Sequence, residues 1–195
     1  MNKPPRAGAD PLATPPARQV SVVNIANAVT VVRLILVPVF IVFLFQDGGG
    51  WRIAALAVFA VASLTDRLDG ELARRRGLVT DFGKIADPIA DKALIGGALI
   101  GLSLLYELPW WVTIVILVRE IGITLVRFIV IRYGVIPASY GGKVKTALQV
   151  VAIGLFIAPG IPGVVRWAAM GAAVAVTVVT GLDYLVRAWR LSRGS

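Results

Sequence analysis

The sequence predicts an all-α integral membrane protein with six transmembrane helices. Of its 195 residues, 57% are hydrophobic and only 16% are charged, whereas an average soluble domain has about 45–50% apolar and about 25% charged residues. A spanning helix needs about 20 mostly apolar residues, and six such stretches follow one another along the chain. Short breaks rich in glycine and proline separate several of them, as expected for connections between antiparallel helices.

The predicted helices cover roughly residues 24–46, 51–75, 83–105, 109–132, 143–159 and 163–189. In the second and third helices the uninterrupted apolar runs, Ile53 to Thr65 and Ala93 to Tyr106, are too short to cross a bilayer by themselves. The remaining part of each of these two helices contains several acidic residues. We predict three parts: a disordered, proline-rich tail (1–20), a six-helix catalytic membrane domain (21–190) and a short tail (191–195).

The distribution of basic residues predicts the orientation of the chain in the cell membrane. Six spans place both termini on one side, together with the loops near residues 74–84 and 132–145. Thirteen lysines and arginines lie on that side, and only Arg52 and Arg166 lie on the other. By the positive-inside rule, the side rich in basic residues, with both termini, faces the cytoplasm.

The composition also limits the chemistry. The chain has no cysteine and no histidine, which excludes thiolate nucleophiles, disulfides, Cys/His zinc sites and an imidazole base. The net charge of +9 is compatible with nucleic acid or with an anionic membrane face. The high apolar fraction favours the membrane, so we expect no nucleic-acid partner.

Six of the eleven acidic residues lie between residues 66 and 91. Asp66 and Asp69 fall on one helical face, and Asp87 and Asp91 form a stripe on the next helix. Four unpaired carboxylates in a bilayer would cost several kcal/mol each, and their hard oxygen ligands suit Mg²⁺, Mn²⁺ or Ca²⁺ better than zinc. The pattern therefore predicts one or two divalent cations. Two other acids, Glu71 and Asp81, are as well explained by a solvated face and a helix cap.

Small residues accompany these aspartates. Gly70, Ala73 and Gly83 share their faces and leave room for a large ligand, and Arg74 offers a planar donor fork to a phosphate. Paired carboxylates that hold metals beside small residues suggest a bound diphosphate. This chemistry alone leaves two classes of membrane enzyme open, which are transfer of a phosphoryl-lipid group from a nucleotide diphosphate and prenyl transfer from an isoprenyl diphosphate.

The spacing of the motif favours the first class. Asp66 to Arg74, followed by Gly83, Asp87 and Asp91, resembles the pattern D-x2-D-G-x2-A-R-x8-G-x3-D-x3-D of the CDP-alcohol phosphotransferases at every fixed position. The resemblance implies a homodimer of six-helix subunits that binds a CDP-linked lipid on two Mg²⁺ or Mn²⁺ ions. It also implies that an alcohol attacks the lipid-side phosphorus and that CMP leaves. It implies four metal ligands, one of which, Asp91, is also the general base: Asp66, Asp69, Asp87 and Asp91. It implies that four further residues line the cytidine and diphosphate site: Gly70, Ala73, Arg74 and Gly83.

Residues outside this motif concern the acceptor alcohol. Arg119 and Arg127 lie eight residues apart in an apolar span, and Lys143 and Lys145 open the next one. A buried basic group needs an anion, although Arg119 could simply pair with Glu120, and the lysines could reflect the positive-inside rule.

Stretches around these residues resemble those of the bacterial phosphatidylglycerophosphate synthases, a branch of the same family: Asn24 to Arg33 with Pro38, Arg119 to Ile121 with Arg127, and Gly142 to Thr146 with Gln149. This resemblance implies that CDP-diacylglycerol is the donor and sn-glycerol 3-phosphate the acceptor, with its phosphate among Arg119, Arg127, Lys143 and Lys145. Inositol phosphate, or phosphatidylglycerol as in a cardiolipin synthase, is an alternative acceptor. An ion transporter is a remote alternative, because paired aspartates confined to one interface provide no path across the bilayer.

Overall fold

The computed structural model describes residues 25–76, 81–130 and 140–193, and these residues form six α-helices and no strand. The helices are α1 (Ile25–Leu44), α2 (Gly49–Arg76), α3 (Asp81–Leu104), α4 (Trp110–Val130), α5 (Tyr140–Ile157) and α6 (Gly163–Arg193). The all-α class and each of the six predicted helices are confirmed. The largest difference is in α6, which continues to Arg193. The predicted tail at residues 1–20 lies outside the described residues.

Contacts between side chains show that helices adjacent in sequence run antiparallel. The rings of Phe40 in α1 and Phe59 in α2 lie 5.5 Å apart, and the hydroxyls of Ser103 in α3 and Thr113 in α4 lie 2.7 Å apart. The bundle therefore has two ends. We call one the short-loop end, which contains residues 45–48, 105–109 and 158–162. We call the other the motif end, where α2 and α4 finish and α3 and α5 begin.

The hydrophobic core draws on all six helices, with Phe40, Phe59, Leu99, Ile116 and Ile153 almost fully buried. Close approach of α1 and α3 depends on Gly101, because a Cβ atom there would lie 2.7 Å from Leu44 Cδ2. Small residues at such crossings are typical of helices packed in membranes.

By length and composition, one helix in the described residues, α6 over Gly163–Leu191, is long and apolar enough to cross a membrane. The apolar parts of α1, α2 and α3 are shorter, at Val29–Leu44, Gly49–Thr65 and Lys92–Leu104. The last two agree with the short apolar runs expected from the sequence. The six helices are thus established, and their crossing of the bilayer as six spans remains a prediction.

The turn after α3 shows how local structure places a charge at the short-loop end. Tyr106 has a φ of 59°, and the amide of Glu107 donates to Leu102 O at 3.0 Å while that of Tyr106 donates to Ser103 O at 3.1 Å. These two bonds form a Schellman motif, which satisfies the last carbonyls of a helix. The turn brings the Glu107 carboxylate to the Arg52 guanidinium of α2, with which it forms an ion pair.

Candidate active site

The aspartate motif occupies the motif-end halves of two consecutive helices. The backbone of Asp66 to Arg74 belongs to α2, and that of Gly83, Asp87 and Asp91 belongs to α3. α2 and α3 are in contact, so the two parts of the motif lie on neighbouring helices, as their sequence positions predict. The side chains of these motif residues are outside the described part of the structure, and metal binding by the four aspartates stays a prediction.

A second group of polar side chains lies between α4, α5 and α6, inside the bundle. We call it the Glu120 cluster, and its members are Arg119, Glu120, Lys145, Gln149, Thr177 and Thr180. One carboxylate oxygen, Glu120 Oε1, accepts from Lys145 Nζ at 2.5 Å, from an Arg119 amino group at 3.3 Å and from Gln149 Nε2 at 3.4 Å. Two cations thus share one carboxylate, so the formal charge of the three ionised groups is +1.

These charges are substantially removed from the surface of the protein. The side chains of Glu120, Arg119 and Lys145 are 17%, 15% and 8% exposed. A buried carboxylate is stable only when cations and hydrogen-bond donors surround it. The three donors on Oε1 meet this requirement and explain why a charged pair can occupy the middle of an otherwise apolar helix.

Helix α6 holds the cluster from the other side through two hydroxyls. The second amino group of Arg119 donates to Thr180 Oγ1 at 3.1 Å, and Gln149 Nε2 donates to Thr177 Oγ1 at 2.9 Å. Gly181 lets Arg119 lie against the helix, because a Cβ atom at this position would come within 3.1 Å of Arg119 Cγ. Arg119 is therefore fixed between Glu120 and α6.

A pocket of about 100 Å³ opens beside Glu120, and we call it the Glu120 pocket. Its polar lining comes from Lys92 of α3, Glu120 of α4, and Lys145, Thr146 and Gln149 of α5. Its apolar lining comes from Ile95, Gly96, Leu117 and Ile121. Such a small space accommodates a small polar group, since pockets for drug-sized ligands measure about 300–1,000 Å³.

The four predicted acceptor-site cations occupy different surroundings. Lys145 lines the pocket, whereas Arg119 lies beside Glu120 and faces α6. Arg127 lies 5.9 Å from the centre of the Tyr184 ring, and Lys143 is exposed in the first turn of α5. The structure therefore brings Lys145 and Arg119 together at one carboxylate and leaves the other two nearer the motif end.

A sequence model of the CDP-alcohol phosphatidyltransferase family matches residues 23–179 of the chain. The protein is a member of this family. The matched range includes all eight fixed positions of the aspartate motif, so the family expected from these residues is confirmed.

Relatives within the family are similar over most of their length. A probable phosphatidylglycerophosphate synthase of Mycobacterium tuberculosis is 55% identical over 180 residues, which are 89% of this chain and 86% of the relative. A CDP-diacylglycerol–glycerol-3-phosphate 3-phosphatidyltransferase of Bacillus subtilis is 34% identical, over 88% of this chain and 98% of the relative. A protein of that same name from Escherichia coli is 38% identical, over 67% of this chain and 74% of the relative.

Sequence reasoning missed several residues of the site. Lys92 follows the aspartate motif directly, and its hydrogen bond to Thr124 of α4 shows that it turns towards the Glu120 pocket. In α6, Thr177, Thr180 and Gly181 follow a spacing of three and four residues, which is the signature of one helical face. Two of these, Thr180 and Gly181, lie beyond the last residue that the phosphatidyltransferase family model matches, 179.

Proposed function

We propose that this enzyme transfers the phosphatidyl group of CDP-diacylglycerol to a hydroxyl of sn-glycerol 3-phosphate, giving phosphatidylglycerophosphate and CMP. The observation that carries the proposal is the 55% identity, over 89% of the chain, to a relative named as a probable phosphatidylglycerophosphate synthase. Relatives from other bacteria whose names specify CDP-diacylglycerol and glycerol 3-phosphate support the same donor and acceptor. The basic Glu120 pocket is chemically suited to a phosphorylated acceptor.

The donor set of the motif fits hard divalent cations. Four carboxylates, spaced three and four residues apart on two contacting helices, supply oxygen ligands of the kind that Mg²⁺ and Mn²⁺ prefer. Two such ions would be held by Asp66, Asp69, Asp87 and Asp91. When bound, the ions neutralise the diphosphate and stabilise charge on the leaving oxygen.

The chain's own residues supply the remaining functions. Gly70, Ala73 and Gly83 leave space for the cytidine and diphosphate, and Arg74 donates to a phosphate oxygen. Asp91 accepts the proton of the acceptor hydroxyl as its oxygen attacks the lipid-side phosphorus. No histidine or cysteine is present in the chain to take that proton instead.

The acceptor phosphate requires cations, which the motif-end half of the bundle offers. Lys145 lines the Glu120 pocket directly and Arg119 supports it through Glu120. Arg127 and Lys143, both exposed, add positive charge that draws the anionic acceptor towards the pocket. The pocket's small size suits a phosphate and a short polyol.

We further propose that the six helices are six spans of the cell membrane, with the motif end and both termini in the cytoplasm, and that two chains form a homodimer. The excess of basic residues at the motif end supports this orientation. Because the chain lacks cysteine, single cysteines introduced at Gly77 and Gly49 can test it. In cells, Gly77→Cys should be labelled from the cytoplasm and Gly49→Cys from outside, and the reverse pattern contradicts the proposed topology.

The activity is tested by measuring CMP release from CDP-diacylglycerol by the purified protein with Mg²⁺ and a panel of acceptors. The panel contains sn-glycerol 3-phosphate, glycerol, inositol phosphate and phosphatidylglycerol. We expect glycerol 3-phosphate to give the fastest release and glycerol, which lacks the phosphate, to give little. Faster release with inositol phosphate or phosphatidylglycerol would contradict the proposed acceptor, and the variant Asp66→Asn controls for contaminating activity.

A further inference from the structure

The lining of the Glu120 pocket indicates that the nearby cations have different roles, which the aspartate motif does not predict. The cationic side chains that line it, among the described residues, are Lys92 and Lys145. Arg119, although only one residue from Glu120, is directed to α6 by its bond to Thr180. The inference below rests on the proposed function, because it concerns how the acceptor phosphate is bound.

Lys92 and Lys145 reach the pocket from two different helices. Lys92 belongs to α3 and donates to the hydroxyl of Thr124, and that hydroxyl in turn donates to the backbone carbonyl of Glu120 at 2.8 Å. Lys145 belongs to α5 and pairs with the Glu120 carboxylate itself. The two ammonium groups are thus tied to the same turn of α4 from two sides.

The charges within the pocket favour an anion. Its described lining contains two lysines and one glutamate, and the Glu120 carboxylate is already shared by Lys145 and Arg119. The hydrogen bond described for Lys92 goes to a neutral hydroxyl, which does not balance its charge. A phosphate placed between the lysines would balance the charge of Lys92, and charge-assisted hydrogen bonds to phosphate are among the strongest polar contacts in proteins.

The position of Lys92 also relates the pocket to the chemistry. Lys92 follows the predicted base Asp91 directly in α3, so the two residues differ by about 1.5 Å along the helix axis. An acceptor phosphate bound at Lys92 therefore lies at nearly the same depth in the bundle as Asp91, which is predicted to take the proton of the acceptor hydroxyl.

We infer that Lys92 and Lys145 contact the acceptor phosphate directly, and that Arg119 is a positioning residue that acts through Glu120. In this arrangement Arg119 and Lys145 share the Glu120 carboxylate, so Arg119 fixes the carboxylate that holds Lys145. Thr180 and Gly181 keep Arg119 in place from α6. The ligand class is a small, water-soluble phosphomonoester.

The kinetic test compares Lys92→Met, which keeps an apolar side chain of similar length, with Arg190→Met, which removes one charge at an exposed position of α6. Loss of a charged hydrogen bond predicts that Lys92→Met raises KM for glycerol 3-phosphate by about 10- to 150-fold. KM for CDP-diacylglycerol should change less than about threefold in either variant. Equal increases for both substrates in Lys92→Met would overturn the direct contact.

A second readout measures binding without turnover. Thr146 lines the pocket, and in a chain without cysteine the change Thr146→Cys introduces one thiol there. In phosphatidylcholine vesicles, which carry no net anionic lipid, inorganic phosphate and glycerol 3-phosphate should both slow its reaction with a methanethiosulfonate reagent. Protection should need about tenfold more phosphate when Lys92→Met is added. Protection by vesicles containing phosphatidate, but by neither soluble phosphate, would indicate a lipid headgroup and contradict the inference.

The variant Arg119→Gln distinguishes direct contact with the phosphate from a positioning role through Glu120. This variant leaves Glu120 and Lys145 as a balanced pair, so the fold is expected to survive, which the elution profile in detergent checks. If Arg119 is a positioning residue, Arg119→Gln should raise the phosphate concentration that half-protects the thiol at position 146 by less than about threefold. Lys92→Met should raise the same concentration by about tenfold. An equal loss in the two variants would place Arg119 on the phosphate.

If wild-type protein shows phosphate protection but no CMP release with glycerol 3-phosphate, the proposed function fails and the anion site stands.

Discussion

Two glutamates, Glu107 and Glu120, are both withdrawn from the surface of the protein, yet they have different surroundings. Glu107 follows the turn after α3 at the short-loop end and pairs with one cation, Arg52. Glu120 lies in the middle of α4 and pairs with two cations, Arg119 and Lys145. Among the described residues, the first carboxylate pairs with one cation, whereas the second is shared by two.

The difference indicates which buried charges serve structure and which serve binding. A one-to-one ion pair between the start of a helix and a turn fixes the geometry of that connection, and the charges of its two members balance. A carboxylate shared by two cations beside a pocket places positive charge next to a space that suits an anion. Buried ionisable residues of this second kind are candidates for substrate binding.

The largest effect is expected from the predicted base, compared with an aspartate at the short-loop end. Asp91→Asn removes the proton acceptor while keeping the size of the side chain, so we expect kcat to fall by roughly 10²–10⁴. Asp47→Asn changes an exposed residue of the short-loop end and should leave kcat within about twofold.

Steady-state CMP release measures both variants, and Mg²⁺-dependent binding of CDP-diacylglycerol provides the control. Asp91→Asn should largely retain this binding, whereas Asp66→Asn should weaken it. If Asp91→Asn abolishes donor binding as thoroughly as Asp66→Asn, Asp91 acts mainly as a metal ligand and the assignment as base is wrong.

The next effect concerns stability and compares the two glutamates directly. Glu120→Ala leaves two buried cations without a carboxylate, so the free energy of unfolding should fall by about 3–5 kcal/mol. Glu107→Ala leaves a single arginine that is 19% exposed, and the loss should be about 1–3 kcal/mol. Unfolding in a mild detergent, followed by helical circular dichroism, ranks the variants. An equal or larger loss for Glu107→Ala would contradict the distinction between the two sites.

The smallest effect is expected from single hydroxyls. Thr180→Val removes the bond to Arg119, and Thr113→Val removes a buried bond to Ser103 near the short-loop end. A hydrogen bond contributes about 0.5–1.5 kcal/mol, and Thr180 acts on the acceptor only through Arg119, so Thr180→Val should raise KM for glycerol 3-phosphate by about two- to threefold. Thr113→Val should lower stability without changing this KM. A similar KM for both variants would show that α6 has no part in acceptor binding.

The sequence predicts the helices and the aspartate motif because both depend on local patterns. Apolar runs broken by glycine and proline define α1 to α6, and the spacing from Asp66 to Asp91 is contained in two consecutive helices. The exact end of α6 was less predictable, because no glycine or proline follows residue 189 until Gly194. The helix continues through Arg190 and Leu191 to Arg193.

The acceptor region was only partly predictable, because its residues meet through tertiary packing. A local pair between Arg119 and Glu120 was the alternative to a role of Arg119 in acceptor binding, and the structure shows that pair. Nothing local indicates that Lys145, which is 25 positions away in sequence, shares the same oxygen, or that Lys92 turns towards α4. Such contacts depend on how α3, α4, α5 and α6 pack against one another.

The most direct test of the central claim measures KM for glycerol 3-phosphate in two variants that each remove the cation of one buried glutamate. Lys145→Met disrupts the Glu120 pocket, and Arg52→Met disrupts the pair at the short-loop end. We expect KM to rise by about 10- to 150-fold in Lys145→Met and to stay within about twofold in Arg52→Met, with KM for CDP-diacylglycerol nearly unchanged in both. Equal KM values for glycerol 3-phosphate in the two variants would contradict the claim that the Glu120 pocket binds the acceptor.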